Sequence, residues 1–228
     1  MSILSRININ STDSHKLAII PIQLYLSNNP TFNGYIYTDC YKNVHIDNKK
    51  YVPQLFNNNI VFISTDSFQQ NHKILSTKIR KYIKFLLYDN ITCFGGESYL
   101  YALTNKNIKD IYHYTNSKSI YEDCIFNQRI YGKYKNITNN LVNYNTIIPI
   151  HKTTTCLINL SCLNSNLMKQ INKINYNHII IINCHHDDFW KKTKLLTNYK
   201  LVLRKKFICD KLGYFITVNS FYSHHNYL

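Results

Sequence analysis

The chain has 228 residues, 45% of them hydrophobic and only 17% charged, which suffices for one large domain or for a domain with a smaller appendage. Its 27 Lys and Arg residues against 12 Asp and Glu residues give a formal net charge of +15. This balance favours a polyanionic partner, most often nucleic acid. No run of about eighteen apolar residues occurs, so the sequence predicts no membrane span.

The first part of the chain, up to Thr65, has the pattern of short strands. Its β-branched and aromatic runs are separated by Asn, Gly and Pro residues; they read KLAIIPIQLYL, GYIYTDCY and NIVFIST. The pattern predicts a small β-rich segment over residues 1–70, in front of a second domain over residues 71–228.

An amphipathic helix is predicted next, ending near Tyr88-Asp89-Asn90. Its apolar residues recur at three- and four-residue steps, namely Ile74, Leu75, Ile79, Ile83, Leu86 and Leu87. The basic residues between them are expected to point away from the apolar face; they are Lys78, Arg80, Lys81 and Lys84.

Strands and helices then alternate to the end of the chain. The predicted strands read NITCF, DIYHYT, NTIIPI, TTTCLINL and NHIIIINC. The predicted helices are one that begins at ESYLYAL, one from Ser117 to about Tyr131, NLMKQINKI, and DDFWKKTKLL. Two strands with no helix between them, YKLVLRKKFI and YFITVNSF, close the chain. The alternation predicts an α/β fold with a Rossmann-like, doubly wound sheet.

In such a sheet the ligand lies at the carboxyl ends of the strands. The strand-end residues are therefore the candidates: 93–98, 114–116, 159–162 and 183–186. Among them, Gly95-Gly96 permits a tight turn and a close approach of the backbone to a ligand. The surrounding residues do not form the G-x-G-x-x-G fingerprint of dinucleotide-binding sites.

Cysteines are scattered along the chain. There are seven, with no C-x-x-C pair, which is typical of reduced thiols in an intracellular protein. Cys184 ends a hydrophobic strand and precedes the predicted helix, where a thiolate is favoured electrostatically. It could be a nucleophile, a core thiol, or a metal ligand with His185, His186 and Asp187. Adjacent residues rarely converge on one ion, so we expect no metal site.

The order of these motifs resembles the S-adenosylmethionine-dependent RNA (uracil-5-)-methyltransferase family over roughly residues 62–220. The similar segments, in order, are DSFQQN, CFGGESYLYAL, SKSIYEDCIFNQRIYGKYKNI, CLINLSCLNSNL and IIIINCHH. The resemblance implies a class I methyltransferase sheet, S-adenosylmethionine as methyl donor, an RNA substrate such as tRNA or rRNA, and Cys184 as the catalytic nucleophile. It places donor contacts at Gln69, Cys93, Ser98, Thr115 and Asn159.

The sequence also departs from that family. Thr115 stands where an acidic residue is expected to bind the ribose, and Leu160, Ser161 and Cys162 replace a Pro-Pro-Arg sequence. The family's C-terminal Glu, its catalytic base, falls near LGYFIT, which has no carboxylate. Candidates for a substitute base are His186, Asp187 and Asp188, although helix capping explains the two aspartates better. The family's N-terminal nucleic-acid-binding barrel has no counterpart.

A basic run from Lys191 to Lys211 flanks the proposed catalytic strand. It is either a solvated face or an RNA-backbone surface. The sequence thus leaves three classes of function open: an enzyme that methylates C5 of uridine in RNA, an inactive relative that binds RNA, and a structural protein. The Asn, Ile, Lys and Tyr bias is typical of an AT-rich genome, such as that of a giant virus, and is compatible with the third class.

Overall fold

The computed structural model describes residues 35–38, 44–47, 51–56, 59–64, 67, 73–132, 134–184, 188–208 and 215–224. The first predicted strand, at residues 16–26, lies outside the described residues, as do Gln69, His185, His186 and Asp187.

The described residues of the N-terminal part form two antiparallel hairpins, in agreement with the predicted strand pattern. Strand β1 (Tyr35–Thr38) pairs with β2 (Val44–Asp47), and β3 (Tyr51–Phe56) pairs with β4 (Asn59–Ser64). Phe56, Val61 and Ile63 of the second hairpin are buried in the same apolar cluster as the helices and strands that follow. The division of the chain into domains at residue 70 stays a prediction.

The rest of the chain alternates helices with the strands of one seven-stranded sheet. The helices are α1 (Lys73–Leu86), α2 (Ser98–Leu103), α3 (Lys118–Tyr131), α4 (Ser165–Ile174) and α5 (Phe189–Thr193). The strands are β5 (Ile91–Phe94), β6 (Asp110–Thr115), β7 (Asn136–Leu141), β8 (Thr155–Ile158), β9 (His178–Asn183), β10 (Tyr199–Ile208) and β11 (Phe215–Ser223).

The strand order is β10-β11-β9-β8-β5-β6-β7. The five strands from β5 to β9 run parallel, and β11 pairs antiparallel with both β9 and β10. The predicted doubly wound α/β sheet with a final antiparallel hairpin is therefore confirmed.

Strand β9 shows how the sheet separates two apolar layers. Ile180 and Ile182 pack in the layer that contains α1 and α2, whereas Ile179 and Ile181 pack in the layer that contains α4 and α5. Because successive side chains of a strand point to opposite faces, an unbroken apolar run is what a strand covered on both faces requires.

The hairpin β3–β4 is attached to the sheet through α3. The side-chain amide of Asn127 accepts a hydrogen bond from Phe62 N at 2.9 Å and donates one to Phe62 O at 2.6 Å. One turn earlier, the Asp123 carboxylate accepts from Ser64 N at 3.2 Å. Among the described strands β4 pairs only with β3, and these two buried side chains satisfy backbone groups on its other side.

Residues 145–150 (NTIIPI) do not form the predicted strand; the third parallel strand lies earlier, at β7. Pro149 has no backbone N–H for a ladder, and Asn143 Oδ1 accepts from Asn145 N at 3.0 Å, which closes a turn. Strand β7 was not predicted, because its sequence is polar and the predicted strands were recognised by their apolar runs. That sequence suits β7 because, among the strands that the structure describes, it lies at the edge of the sheet and pairs only with β6.

Two further expectations were wrong in detail. The helix predicted over DDFWKKTKLL is only the five residues of α5. Arg80 does not point away from the apolar face with Lys78, Lys81 and Lys84, because its side chain is 12% exposed and its guanidinium lies 4.0 Å from the centre of the Phe56 ring. A long side chain can reach back over the apolar face and bury its stem there.

Two core histidines make stability depend on pH. Burial lowers the pKa of His113, and likewise that of His178, to about 4. As the pH falls from 7 to 4.5, the unfolded chain binds protons near the ordinary pKa of about 6.5 whereas the folded chain does not. We expect the free energy of unfolding to fall by about 2 kcal/mol per histidine over this range, measured by urea denaturation.

His178 offers the cleaner test of this expectation. Its ring is stacked between Tyr88 and Tyr222, and neither ring nitrogen has a hydrogen-bond partner within the described residues. His178→Phe should therefore retain the packing and remove about half of the pH-dependent loss, while the exposed His224→Gln serves as control. An unchanged pH dependence in His178→Phe would contradict the assignment.

Candidate active site at the carboxyl edge of the sheet

The turns that follow four parallel strands meet at one edge of the sheet. Gly95 N, just past β5, donates to Tyr114 O of β6 at 2.9 Å. On the other side of β5, Asn159 N donates to Phe94 O at 2.9 Å. These bonds extend the ladder beyond β5 on both sides, so the predicted strand-end candidates after β5, β6, β8 and β9 lie along the same edge.

The turn after β5 requires a glycine at position 95. Gly95 has a φ of +77°, where side chains other than glycine are strained. A Cβ at this position would lie 2.4 Å from Leu160 Cδ2 and 2.6 Å from Asn159 O. The turn after β8 therefore packs directly on the turn after β5, and Ser98 Oγ donates to Gly95 O, which holds the turn from its other side.

The residues predicted to contact a donor lie at this edge, but several of their side chains are buried. Cys93 and Ser98 are fully buried, and burial raises the pKa of the Cys93 thiol. Thr115 is also fully buried, and its hydroxyl accepts a hydrogen bond from Ser117 N at 3.1 Å. Asn159 is half-buried. The Ser98 and Thr115 side chains thus hold turns in place, whereas the Cys93 side chain packs in the core.

A cleft of about 710 Å³ opens beside these turns, on the α4 side of the edge. It is lined by Asn116, Asn143, Tyr144, Asn145, residues 160–166, Lys169 and Lys192. The lining contains five asparagines and two lysines but no carboxylate. Amides that both donate and accept hydrogen bonds, together with ammonium groups, suit a polar heterocycle and a negatively charged group.

Sequence reasoning missed most of this lining. The predicted strand-end ranges 114–116 and 159–162 did include four of the lining residues, namely Asn116, Leu160, Ser161 and Cys162. Asn143 and Asn145 could not be found in this way, because they follow β7, which the prediction placed elsewhere.

Asn164 stiffens one wall of the cleft. Its Oδ1 accepts from Leu167 N at 2.9 Å and so caps the first turn of α4. Its Nδ2 donates to Asn145 Oδ1 at 2.8 Å, which ties α4 to the turn after β7. A wall fixed in this way is preorganised for a ligand.

A thiol and an ammonium group meet in the cleft. Lys192 Nζ lies 3.3 Å from the Sγ of the exposed Cys162 and 3.5 Å from Asp188 Oδ2. The hydrogen bond to Cys162 raises the pKa of Lys192, and the Asp188 carboxylate raises it further. The Asp188 side chain makes no capping hydrogen bond at the start of α5, contrary to the capping expectation.

Cys184 lies at the same edge but is not among the residues that line the cleft. It is half-buried and packs against the apolar layer of α1 and α2, on the face of the sheet that Ile182 shares. Helix α5 begins five positions later and has five residues, so its dipole gives the thiolate little support. The expectation that this helix stabilises a Cys184 thiolate is therefore wrong.

A buried ion pair ties α1 to the glycine turn. Glu97, 3% exposed, lies 3.6 Å from the Arg80 guanidinium. Burial raises the pKa of Tyr101 above its ordinary value. The charges of Glu97 and Cys184 raise this pKa further, whereas the charge of Arg80 lowers it. The Tyr101 phenol therefore lies close enough to both the Glu97 carboxylate and the Cys184 thiol to be influenced by their charges.

Most of the basic run after the proposed catalytic strand is exposed, on α5 and β10. The exposed members are Lys191, Lys194, Lys200, Arg204, Lys205 and Lys206, whereas Lys211 lies outside the described residues. The Arg204 guanidinium lies 4.9 Å from the centre of the half-exposed Trp190 ring. An aromatic ring and cations side by side on a surface next to the edge are suited to a polyanion that carries bases.

Within the described ranges, no three His, Cys, Asp or Glu side chains are close enough together to hold a metal ion. The helices of the described part of the chain include none that is both long and apolar enough to cross a membrane.

Comparisons with known proteins give matches in structure only. No known protein-family profile matches the sequence, and no curated protein matches it. Among solved structures, the Pyrococcus abyssi tRNA (uracil-54, C5)-methyltransferase in complex with S-adenosyl-L-homocysteine matches with a TM-score of 0.64 at 12% identity. That match covers 86% of this chain and 52% of the other, so this chain spans about half of its length.

Two further solved structures are similar. The M. jannaschii tRNA m1G37 methyltransferase matches with a TM-score of 0.60 at 14% identity, over 84% of this chain and 61% of the other. M. jannaschii TYW2 in complex with AdoMet matches with a TM-score of 0.57 at 12% identity, over 83% of this chain and 93% of the other. These likenesses establish the fold alone, and they confirm the predicted Rossmann-like class I methyltransferase sheet.

Proposed function

We propose that this chain is an S-adenosylmethionine-dependent RNA methyltransferase that acts on C5 of uridine, with Cys184 as its nucleophile. The observation that carries the proposal is the Gly95 turn of a class I methyltransferase sheet, with the 710 Å³ cleft beside it. The proposal is also supported by the similar structures, of which two are tRNA methyltransferases. Two of them were solved with S-adenosylmethionine or S-adenosylhomocysteine bound.

The residues of the cleft suit the adenosine part of the donor. Asn116 and Asn143 offer amides at the ends of β6 and β7, and Leu160 offers an apolar surface. The missing carboxylate at Thr115 removes a bidentate contact to the ribose, so we expect weaker donor binding than a site with that acid would have. The predicted donor contacts at Gln69, Cys93, Ser98, Thr115 and Asn159 stay proposals.

The chemistry requires a thiol beside the uracil ring. The Cys184 thiolate would attack C6, which makes C5 carbanion-like and able to take up the methyl group that the donor's sulfonium supplies. A base must then remove the proton from C5, so that the bond between Cys184 and C6 breaks and 5-methyluridine is released. The part of β11 that the structure describes places no carboxylate near Cys184. Without such a base, we expect the release of 5-methyluridine from Cys184 to be the slow step.

RNA as the substrate is supported by charge. The net charge of +15 and the exposed basic side chains of α5 and β10 favour a phosphate backbone. Lys192 lines the cleft, and Arg204 on the basic surface lies 4.9 Å from the ring of Trp190, two positions before Lys192, so a nucleotide that left the RNA stack would meet cations at both places.

Calorimetric titration with S-adenosylhomocysteine tests the proposal. We expect saturable binding, weakened about tenfold in Asn116→Leu through the loss of a hydrogen bond in the cleft. Asn116 is exposed, so this variant should fold normally, and the exposed Asn107→Leu is its matched control. No heat and no thermal shift at millimolar ligand would refute donor binding and leave the chain as an RNA-binding module.

A further inference from the structure

The outward face of α1 carries an unusual set of side chains. Lys78, Lys81 and Lys84 are exposed on it, and Phe85 beside them is 84% exposed. These positions recur at three- and four-residue steps, so they share one side of the helix. Helix α1 contains no acidic residue, and the first acid after it, Asp89, follows its end.

Strand β10 extends this face. The Tyr82 ring of α1 lies 5.6 Å from the Phe207 ring of β10, so the two elements pack side by side. Lys205 Nζ lies 4.4 Å from the centre of the Tyr82 ring, which brings a fourth exposed lysine next to the helix. We call Lys78, Lys81, Lys84, Phe85 and Lys205 the α1 patch.

The exposed phenylalanine is not needed to hold the helix in place. Leu75, Ile79 and Ile83 are at most 1% exposed, and Leu87 is 3% exposed, so the docking face of α1 is complete without Phe85. An aromatic ring among cations, with no acid on the helix, has the composition of a surface that stacks a base and binds the neighbouring phosphates. The stacking energy comes from the ring and the salt-dependent part from the lysines.

We propose that the α1 patch binds RNA, with the lysines on backbone phosphates and an unpaired base stacked on Phe85. The Glu97 contact of Arg80 puts the middle of α1 at the level of the glycine turn, and Phe85 lies further from the edge. RNA on the patch would therefore extend along the flank of the domain, away from the cleft. This binding does not depend on methyl transfer or on donor binding.

RNA suits the patch better than the other polyanionic or apolar partners. A membrane surface would need several apolar side chains to insert, and those of α1 are turned into the core. A second copy of the chain would bring the same positive charges to the same place, which is unfavourable.

Fluorescence anisotropy with a labelled RNA hairpin that has a single-stranded tail tests the proposal, in the absence of methyl donor. The triple variant K78Q/K81Q/K84Q should weaken binding and reduce the steepness of log affinity against log salt by about 2.1 to 2.7, because each lost phosphate contact removes about 0.7 to 0.9. The matched control K109Q/K152Q/K173Q removes the same charge from other exposed sites. It should retain the slope.

Phe85 distinguishes stacking from simple apolar contact. Phe85→Leu should weaken binding of the tailed hairpin about tenfold, whereas Phe85→Trp should retain it, because only an aromatic face stacks on a base. Since the side chain is 84% exposed, neither change should affect thermal unfolding.

Three outcomes would overturn the proposal. Equal losses in the two triple variants would mean that binding follows net charge alone. A Phe85→Leu variant with normal RNA affinity would exclude stacking. Preference of the wild-type protein for vesicles containing anionic lipid over RNA, lost in K78Q/K81Q/K84Q, would assign the patch to a membrane surface instead.

Discussion

A Cys184→Ala variant is expected to form no covalent complex with RNA that contains 5-fluorouridine, under conditions where the wild-type protein with S-adenosylmethionine does. Fluorine at C5 cannot leave as a proton does, so the bond between the cysteine sulfur and C6 persists after methylation and the complex survives denaturing electrophoresis. On ordinary RNA, removal of the nucleophile should lower turnover at least roughly 10⁴-fold.

The control for this experiment is the cleft thiol. Cys162→Ala removes an exposed sulfur 3.3 Å from Lys192 and should still form the adduct. Because Cys184 is half-buried and loses only one sulfur atom, Cys184→Ala should unfold at nearly the wild-type temperature and bind RNA normally. An adduct that still forms in Cys184→Ala and is lost in Cys162→Ala would mean that the nucleophile is Cys162, in the cleft.

The missing carboxylate near β11 bears on the same experiment. If no group removes the C5 proton efficiently, the complex should accumulate even with unmodified uridine, and mass spectrometry of the trapped protein would detect it on Cys184. Wild-type protein that binds S-adenosylhomocysteine and RNA but forms no adduct with 5-fluorouridine would contradict cysteine catalysis at C5, while donor binding would stand.

Glu97→Ala is expected to lower the free energy of unfolding by about 3 kcal/mol or more, because it leaves the mostly buried Arg80 guanidinium without its carboxylate partner. Urea denaturation at pH 7 measures the change. The matched control is Asp188→Ala, which removes an acid that is 62% exposed from its pair with Lys192. That change should cost at most about 1 kcal/mol, since exposed pairs contribute little.

A double-mutant cycle would separate the pair from the individual side chains. Arg80→Met with Glu97→Met should lose less stability than the two single changes added together, because it leaves no unpaired buried charge. Glu97 directly follows Gly95-Gly96, so Glu97→Ala should also bind S-adenosylhomocysteine more weakly than the wild-type protein does. If Glu97→Ala were as stable as Asp188→Ala, the ion pair would have no structural role.

The local pattern of the sequence was sufficient to identify most elements. Strand β6 was predicted at its observed limits, Ser117 was predicted at the start of α3 and caps it, and the run from His178 to Asn183 was predicted as a buried strand. Each of these signals depends on neighbours within a few residues. Periodicity of 2 or 3.6 and a capping side chain act over that range.

The polar strand β7 shows where local pattern is insufficient. It alternates weakly and carries three asparagines, whereas the apolar run of residues 145–150 looks more like a strand. The pairing of β7 with β6 determines that residues 136–141, and not 145–150, form the strand. Ile148 is instead buried in a turn, and Pro149 has no backbone N–H with which to extend that turn into a ladder. A strand at a sheet edge needs backbone partners on one side and few apolar side chains.

The candidate site likewise depends in part on local sequence and in part on tertiary contacts. The sequence by itself determined that chemistry-bearing residues follow parallel strands, since the carboxyl ends of such strands must share an edge. Only the tertiary structure decided which of them line the cleft. Asn116, Cys162 and Lys192 do so, while Cys93 and Thr115 are buried and Cys184 faces the opposite layer. Which way a strand-end side chain turns depends on contacts between segments far apart in the chain, such as Leu160 against Gly95, and no local pattern encodes those contacts.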